Sequence, residues 1–322
     1  LVILAVLFGI VQWGLVGERL AALIIVCSVA CGLGLALIIW WNANTPGRLF
    51  HNSTIRVRDM TMLIMLGVIV QLVLMSFVQS TYRYFDVVKG FTLIQRSLAL
   101  LPILIGMIVA TRLVGKMWRL YEVRRLIALG LLLTGASVGL MAIRPDIMPY
   151  VIQLLPLTLF GFAYLSTKTV WTNGLFQSMI DDYTGLNAGI NSATLMIGGA
   201  LGSVLAGQLV VVFGQRDFQD RLAGFGLPAQ IRQLFTVLTQ ISERDFLAQI
   251  LDPTLLGEVV WDAYVASYAL AYGRTLWIVV GIALIGATAV WIGLRRSNIR
   301  FTAEEVAVDL EASVFEDVSD SF

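Results

Sequence analysis

The chain has 322 residues, 58% of them hydrophobic and only 13% charged, about half the charged share of an ordinary soluble domain. A net charge of +1 without a basic domain excludes a nucleic-acid-binding protein, and a single histidine, His51, excludes a multi-histidine metal site. What remains is an all-α membrane protein with many spans, whose first partner is the lipid bilayer.

Runs of about 20 apolar residues predict eight spans, at 1–16, 20–41, 60–79, 93–111, 126–143, 150–171, 190–213 and 275–294. The first opens at Leu1 inside an apolar run, which reads as a fragment whose amino-terminal part is missing. Cys27 and Cys31 lie one helical turn apart in the second and read as small packing residues. Trp40, Trp41, Trp171, Trp277 and Trp291 stand near span ends, where amphipathic rings settle at the interface. Arg48, Arg56 and Arg58, then Arg112, Lys116, Arg119, Arg124 and Arg125, then Arg295, Arg296 and Arg300 all fall on one side, which the positive-inside rule makes cytoplasmic. The carboxyl terminus is then inside the cell.

In the 80–91 stretch, STYRYFDVVKGF, the residues Tyr82, Tyr84 and Phe85 beside Arg83, Asp86 and Lys89 read as an outer interfacial belt, with a gate of aromatic and ionic contacts as the alternative. The 113–127 stretch, LVGKMWRLYEVRRLI, reads as a glycine turn and a positive anchor. Span 150–171 holds Lys168, the one formal charge well inside an apolar run. Three residues from Trp171, it either snorkels to the cytoplasmic interface or lines a polar path with Gln71, Asn191 and Thr194. Pro156 and Gly161 predict a kink in that span.

Span 190–213 carries no charge and sets small residues at four-residue spacing in two stripes, Gly198, Gly202 and Ala206 beside Gly199, Ser203 and Gly207. That face lets backbones approach closely, as a static contact or as a seam along which one half of a transporter moves. The outer loop, 214–274, predicts two short amphipathic helices, one around 231–241 and one from 246 towards 272. Its carboxylates show no metal or acid/base spacing and no P-loop occurs, so neither an enzyme nor a metal or other cofactor is expected. The acidic 295–322 segment reads as a disordered cytoplasmic tail.

The 113–127 stretch resembles the cytoplasmic signature of the major facilitator superfamily, roughly G-x-L-x-D-R-x-G-x-R-R: Gly115, Arg124 and Arg125 match, while Arg119, Leu120 and Glu122 replace its aspartate, arginine and second glycine. TPGRLF at 45–50, ALLP at 99–102, the TGLNAG and IGGALG segments of 184–202, and YALAYGRTLWIVVG at 268–281 follow the order of the fourteen-span drug:proton antiporter branch. This resemblance implies a major-facilitator-type bundle. Residues 1–41 would be the central extra spans, residues 42–294 the carboxyl-terminal six-span half, and an amino-terminal half would be a missing partner. It further implies proton-coupled efflux of small amphipathic compounds, often cationic, across the plasma (cell inner) membrane by alternating access, with the proton-carrying residue in the absent half. The alternatives are a specific metabolite transporter of the same fold, or a polytopic enzyme using the outer loop. Ala287 would face lipid.

Overall fold

The computed structural model describes residues 57–120, 122–143, 145, 148–177, 184–224 and 255–293. Spans 1–16 and 20–41, Trp40, Trp41, both cysteines, His51, the amphipathic run at 231–241 and the acidic tail lie outside them. The described chain is all helix, as hydrocarbon demands, because no water is present there to satisfy a free N–H or C=O. The elements are α1 (Val57–Val87), α2 (Leu93–Ala99), α3 (Leu101–Leu120), α4 (Val123–Ala142), α5 (Tyr150–Gln177), α6 (Thr184–Gly224) and α7 (Leu255–Gly293). With α2 and α3 counted as one, they provide six helices long and apolar enough to cross a membrane, so the chain is read as an integral membrane protein.

Local chemistry explains the breaks. Gly90, with φ 64°, adopts the left-handed conformation that ends the α1 turn. Thr92 and Gln95 then form a reciprocal capping box that starts α2. Pro102 has no N–H to continue the helix, and α2 stops at Ala99. Ile103 N–H turns to Leu100 O, and the Ala99 carbonyl accepts from Tyr150 Oη at 3.2 Å instead. Gly115 makes no turn: it lies inside α3, which ends at Leu120, and α4 begins at Val123 with Glu122 as its N-cap. Pro156 lies within an unbroken α5, and Gly161 serves packing.

Helix pairing follows from the small residues. α6 packs most extensively on α1, and α3 on α5, with α4 on α7 next. A Cβ on Gly198 would stand 2.9 Å from Gln71 Cβ, and one on Gly202 would stand 3.0 Å from Leu72 Cα, closer than side chains tolerate. Ser76 Oγ closes this crossing by donating to Gly202 O at 2.9 Å. The other stripe is different: Gly199 has only ordinary contacts with Met75 and Gln71, Ser203 is half-buried, and a Cβ on Gly207 would meet nothing within 4 Å among the described residues. A second crossing, not evident in the sequence of either helix, joins α3 to α5: Gly106 lies against Thr158 O and Phe162 N, and Gly161 against the Ile103 backbone.

Two further expectations are corrected. Ala287 is 3% exposed, because it lies on the face of α7 that packs into the bundle with Ala283 and Val290, while Leu284, Ile285, Thr288 and Ile292 hold the exposed face. The 214–274 stretch is helical at both described ends: α6 continues to Gly224, and α7 begins at Leu255 and runs unbroken into the apolar span, so the part of the second amphipathic run that is described is not a separate short helix.

The glycine crossings predict unequal costs. Gly202→Leu and Gly106→Leu should each lower stability by about 1–3 kcal/mol through overpacking, whereas Gly207→Leu, whose Cβ would meet no neighbouring described group within 4 Å, should be near neutral. Thermal midpoints of the detergent-solubilised protein provide the measurement; equal midpoints for Gly202→Leu and Gly207→Leu would contradict the crossing.

Candidate functional site

Gln71 sits where α1 meets both α5 and α6, 8% exposed and in the middle of a span. An amide at that depth needs a partner, and Tyr164 of α5 provides one, its hydroxyl donating to Gln71 Oε1 at 2.9 Å. One helical turn further along α5, the Lys168 ammonium lies over the Tyr164 ring, 5.9 Å from its centroid. Phe160 stacks on the other side of Tyr164, with ring centroids 6.4 Å apart, and Phe77 packs on Phe160 at 4.1 Å. Gln71, Tyr164 and Lys168 therefore form a polar string through an apolar and aromatic setting.

The snorkelling reading of Lys168 depended on Trp171 being an interface anchor. Trp171 is instead fully buried, donating from Nε1 to Leu63 O at 2.6 Å and packing against Gly67. Helix α5 continues to Gln177, nine residues or about 13 Å beyond Lys168, which places the ammonium well within the helical span. Trp277 and Trp291, by contrast, are each about half exposed, as interfacial rings are.

The α6 candidates separate. Thr194 is buried, donates to Ile190 O at 2.7 Å and packs its methyl near Gly67, which makes it a packing residue whose hydroxyl is already used. Asn191, one turn earlier, has a buried Oδ1 without a hydrogen-bond partner among the described residues. Tyr164 itself escaped the sequence reading, although its four-residue spacing from Lys168 on one helix face was a readable signal.

At the α3–α4 turn, Arg124 and Arg125 start α4, where the helix dipole disfavours cations. Glu122 compensates, its carboxylate lying 3.9 Å from Arg124 and 3.6 Å from Arg125, and the Arg124 guanidinium covers the Trp291 ring at 4.7 Å. At the opposite end of the bundle, the 80–91 stretch only partly matches an interfacial belt, since Tyr82, Arg83, Asp86 and Lys89 are half-buried but two of its rings turn inward. Tyr84 and Phe85 are fully buried, and Tyr84 stacks on Tyr272 at 4.4 Å, accepts from Gln153 Nε2 at 3.1 Å and donates to Pro145 O. Asp86 pairs with Arg96 at 2.9 Å, and Lys89 donates to Met148 O at 2.8 Å. These contacts draw α1, α2, α5 and α7 together at that end.

No protein-family model and no curated protein matches the chain. The arrangement joins a half-buried cation, a phenol and an amide across α5 and α1, with the phenol bonded to the amide and lying under the cation.

The pairing of Gln71 with Tyr164 is testable by a double-mutant cycle. Tyr164→Phe strands a buried amide oxygen and should cost about 1–3 kcal/mol, whereas adding Gln71→Leu to it should recover much of that loss. Strictly additive effects on unfolding in detergent would refute the pairing.

Proposed function

We propose that the chain is the carboxyl-terminal half of a secondary transporter similar to the fourteen-span drug:proton antiporters of the major facilitator superfamily. The observation that carries this reading is an internal symmetry of packing. Exchanging α1 with α5, the α2–α3 span with α6, and α4 with α7 turns the α1·α6 contact into α5·α3, the α4·α5 contact into α7·α1, and leaves α4·α7 unchanged. Two three-helix repeats interlocked in this way are what transporters built from inverted repeats require. In this reading α1 and α5, the first helix of each repeat, line the path, and they are the helices that carry Gln71, Tyr164 and Lys168. The substrate class is small amphipathic compounds, the coupling ion is the proton, and the proton-carrying group belongs to the missing half. Lys168 then tunes preference for substrate charge.

Lys168→Gln in the full-length protein tests the assignment, with proton-gradient-driven efflux measured in everted vesicles. The expected outcome is a severalfold shift in the ratio of cationic to neutral substrate transport with proton coupling intact. Loss of coupling with substrate binding preserved would place the proton carrier at Lys168 and overturn the division of roles.

The same reading puts the basic end of the bundle in the cytoplasm of a cell whose plasma membrane holds the protein. Single cysteines at Glu122 and at Gly224, both exposed, should respond oppositely to an impermeant thiol reagent in intact cells lacking Cys27 and Cys31. Labelling at Gly224 alone is expected; labelling at Glu122 alone would invert the topology.

A further inference from the structure

The charge of Lys168 is not balanced by the described helices around it. Helix α5 contains no acidic residue, nor do α3 and α4, which pack along it. In α6 the first is Asp217, far beyond Thr194, and in α1 the two are Asp59 and Asp86, 12 and 15 residues from Gln71 and so about 18 and 22 Å along the helix. Asp86 and Asp217 are paired with Arg96 and Arg221, and Glu122, the N-cap of α4, lies beside Arg124 and Arg125. The Tyr164 ring, with its centroid 5.9 Å from the ammonium, attracts a cation without cancelling its charge.

The polar groups beside Lys168 have little left to accept with. Gln71 Oε1 already accepts from Tyr164 Oη at 2.9 Å, which also uses the proton of the phenol. Thr167 and Thr194 give their protons to Ala163 O and Ile190 O. Asn191 Oδ1 is enclosed, so a ligand cannot reach it. Donors are what remain. Gln71 Nε2 lies on the α6 side, 3.8 Å from where a Cβ on Gly199 would stand, and it is not among the enclosed unpartnered atoms. The half-buried Lys168 ammonium adds three N–H groups and a full positive charge.

We propose that this site recognises a carboxylate carried on an apolar body, which narrows the substrate class from amphipathic compounds in general to amphipathic monoanions. The carboxylate pairs with the Lys168 ammonium, and the Gln71 amide offers N–H, not C=O, to the polar atoms that accompany it. Nine residues of helix separate Lys168 from the end of α5, so a small hydrophilic anion would have to give up its water to reach the ammonium, whereas an apolar body is at home in hydrocarbon. An amphipathic cation would meet like charge and no acceptor. This rests on α1 and α5 lining a transport path, and it departs from the cationic preference that the family resemblance implies.

The probe is tritiated 1-naphthoate, in equilibrium dialysis with the full-length protein in maltoside detergent. Two compounds with the same ring system compete with it, neutral 1-naphthamide and cationic 1-naphthylmethylammonium. Naphthoate should bind about tenfold or more tightly than the amide, with the ammonium compound weakest. Lys168→Gln should bring naphthoate to within about twofold of the amide, while Lys168→Arg, which keeps the charge, should preserve the order. If Lys168→Gln does not elute as a folded species, Lys168→Met makes the same test. No binding of naphthoate, equal binding of the three, a preference for the ammonium compound, or an undiminished naphthoate preference in a folded Lys168→Gln would overturn the proposal. Any of these results alongside proton-driven transport of one of the three compounds in vesicles would leave the transport reading intact. Binding in the expected order with no transport of any of them would support the carboxylate site and count against the transport reading instead.

Discussion

Close backbone approach at glycine governs the bundle. Lipid tails are as apolar as leucine, so helices in a bilayer gain little from hiding apolar side chains and must gain from contact density and from bonds between helices. Gly198 and Gly202 bring α6 onto the Val68–Leu72 backbone of α1, while Gly106 and Gly161 bring α3 onto α5. Once α1 and α6 are this close, Ser76 reaches the Gly202 carbonyl, and Trp171 fits over Gly67 to reach the Leu63 carbonyl. Each of these bonds needs the spacing that the glycines set.

The same economy accounts for the polar groups. Thr134, Thr167 and Thr275 spend their hydroxyls on carbonyls one turn back in their own helices, which removes them as binding groups. Gln71 cannot do this and bonds across to Tyr164, while the Lys168 ammonium takes the face of the same ring. Against that background the unsatisfied atoms stand out. Ser166 Oγ and Asn191 Oδ1 are buried without partners among the described residues, whereas Thr167 and Thr194 nearby are satisfied, and an unpaired buried polar atom costs more than it would in water.

Much of this was legible in the sequence, and the misreadings share a cause. The six spans from 60 onward and the Gly198–Gly202 stripe follow from hydropathy and spacing, which are properties of one helix at a time. The Gly106–Gly161 crossing was hidden because each helix contributes a single glycine and the pattern exists only between helices. Trp171 and Tyr84 were misplaced for a related reason: an aromatic residue near the end of an apolar run looks the same whether it meets headgroups or a neighbouring backbone. Gln71 and Lys168 were visible as oddities of their spans, but Tyr164, which connects them, has the composition of an ordinary aromatic packing residue.

The ends of α6 and α7 show where hydropathy stops describing a helix. α6 has 41 residues and α7 has 39, each about 60 Å long and so about twice the hydrocarbon thickness. A window that asks whether lipid tolerates a segment closes near Gly214 and opens again after Arg274, where charges appear, yet the helices continue because they still bury one another. Phe218 and Leu222 are fully buried, Phe218 meets the edge of Tyr264 at 6.2 Å, and Trp261 packs on Tyr264 at 5.5 Å. On the exposed side Arg221 pairs with Asp217 one turn away at 2.8 Å. Apolar contacts on one face with charge on the other make this end of α6 amphipathic, within a helix whose backbone is unbroken from Thr184 to Gly224. The Phe218–Tyr264 contact joins α6 to α7 edge to face through buried rings, whereas Gly198 and Gly202 join α6 to α1 by close backbone approach.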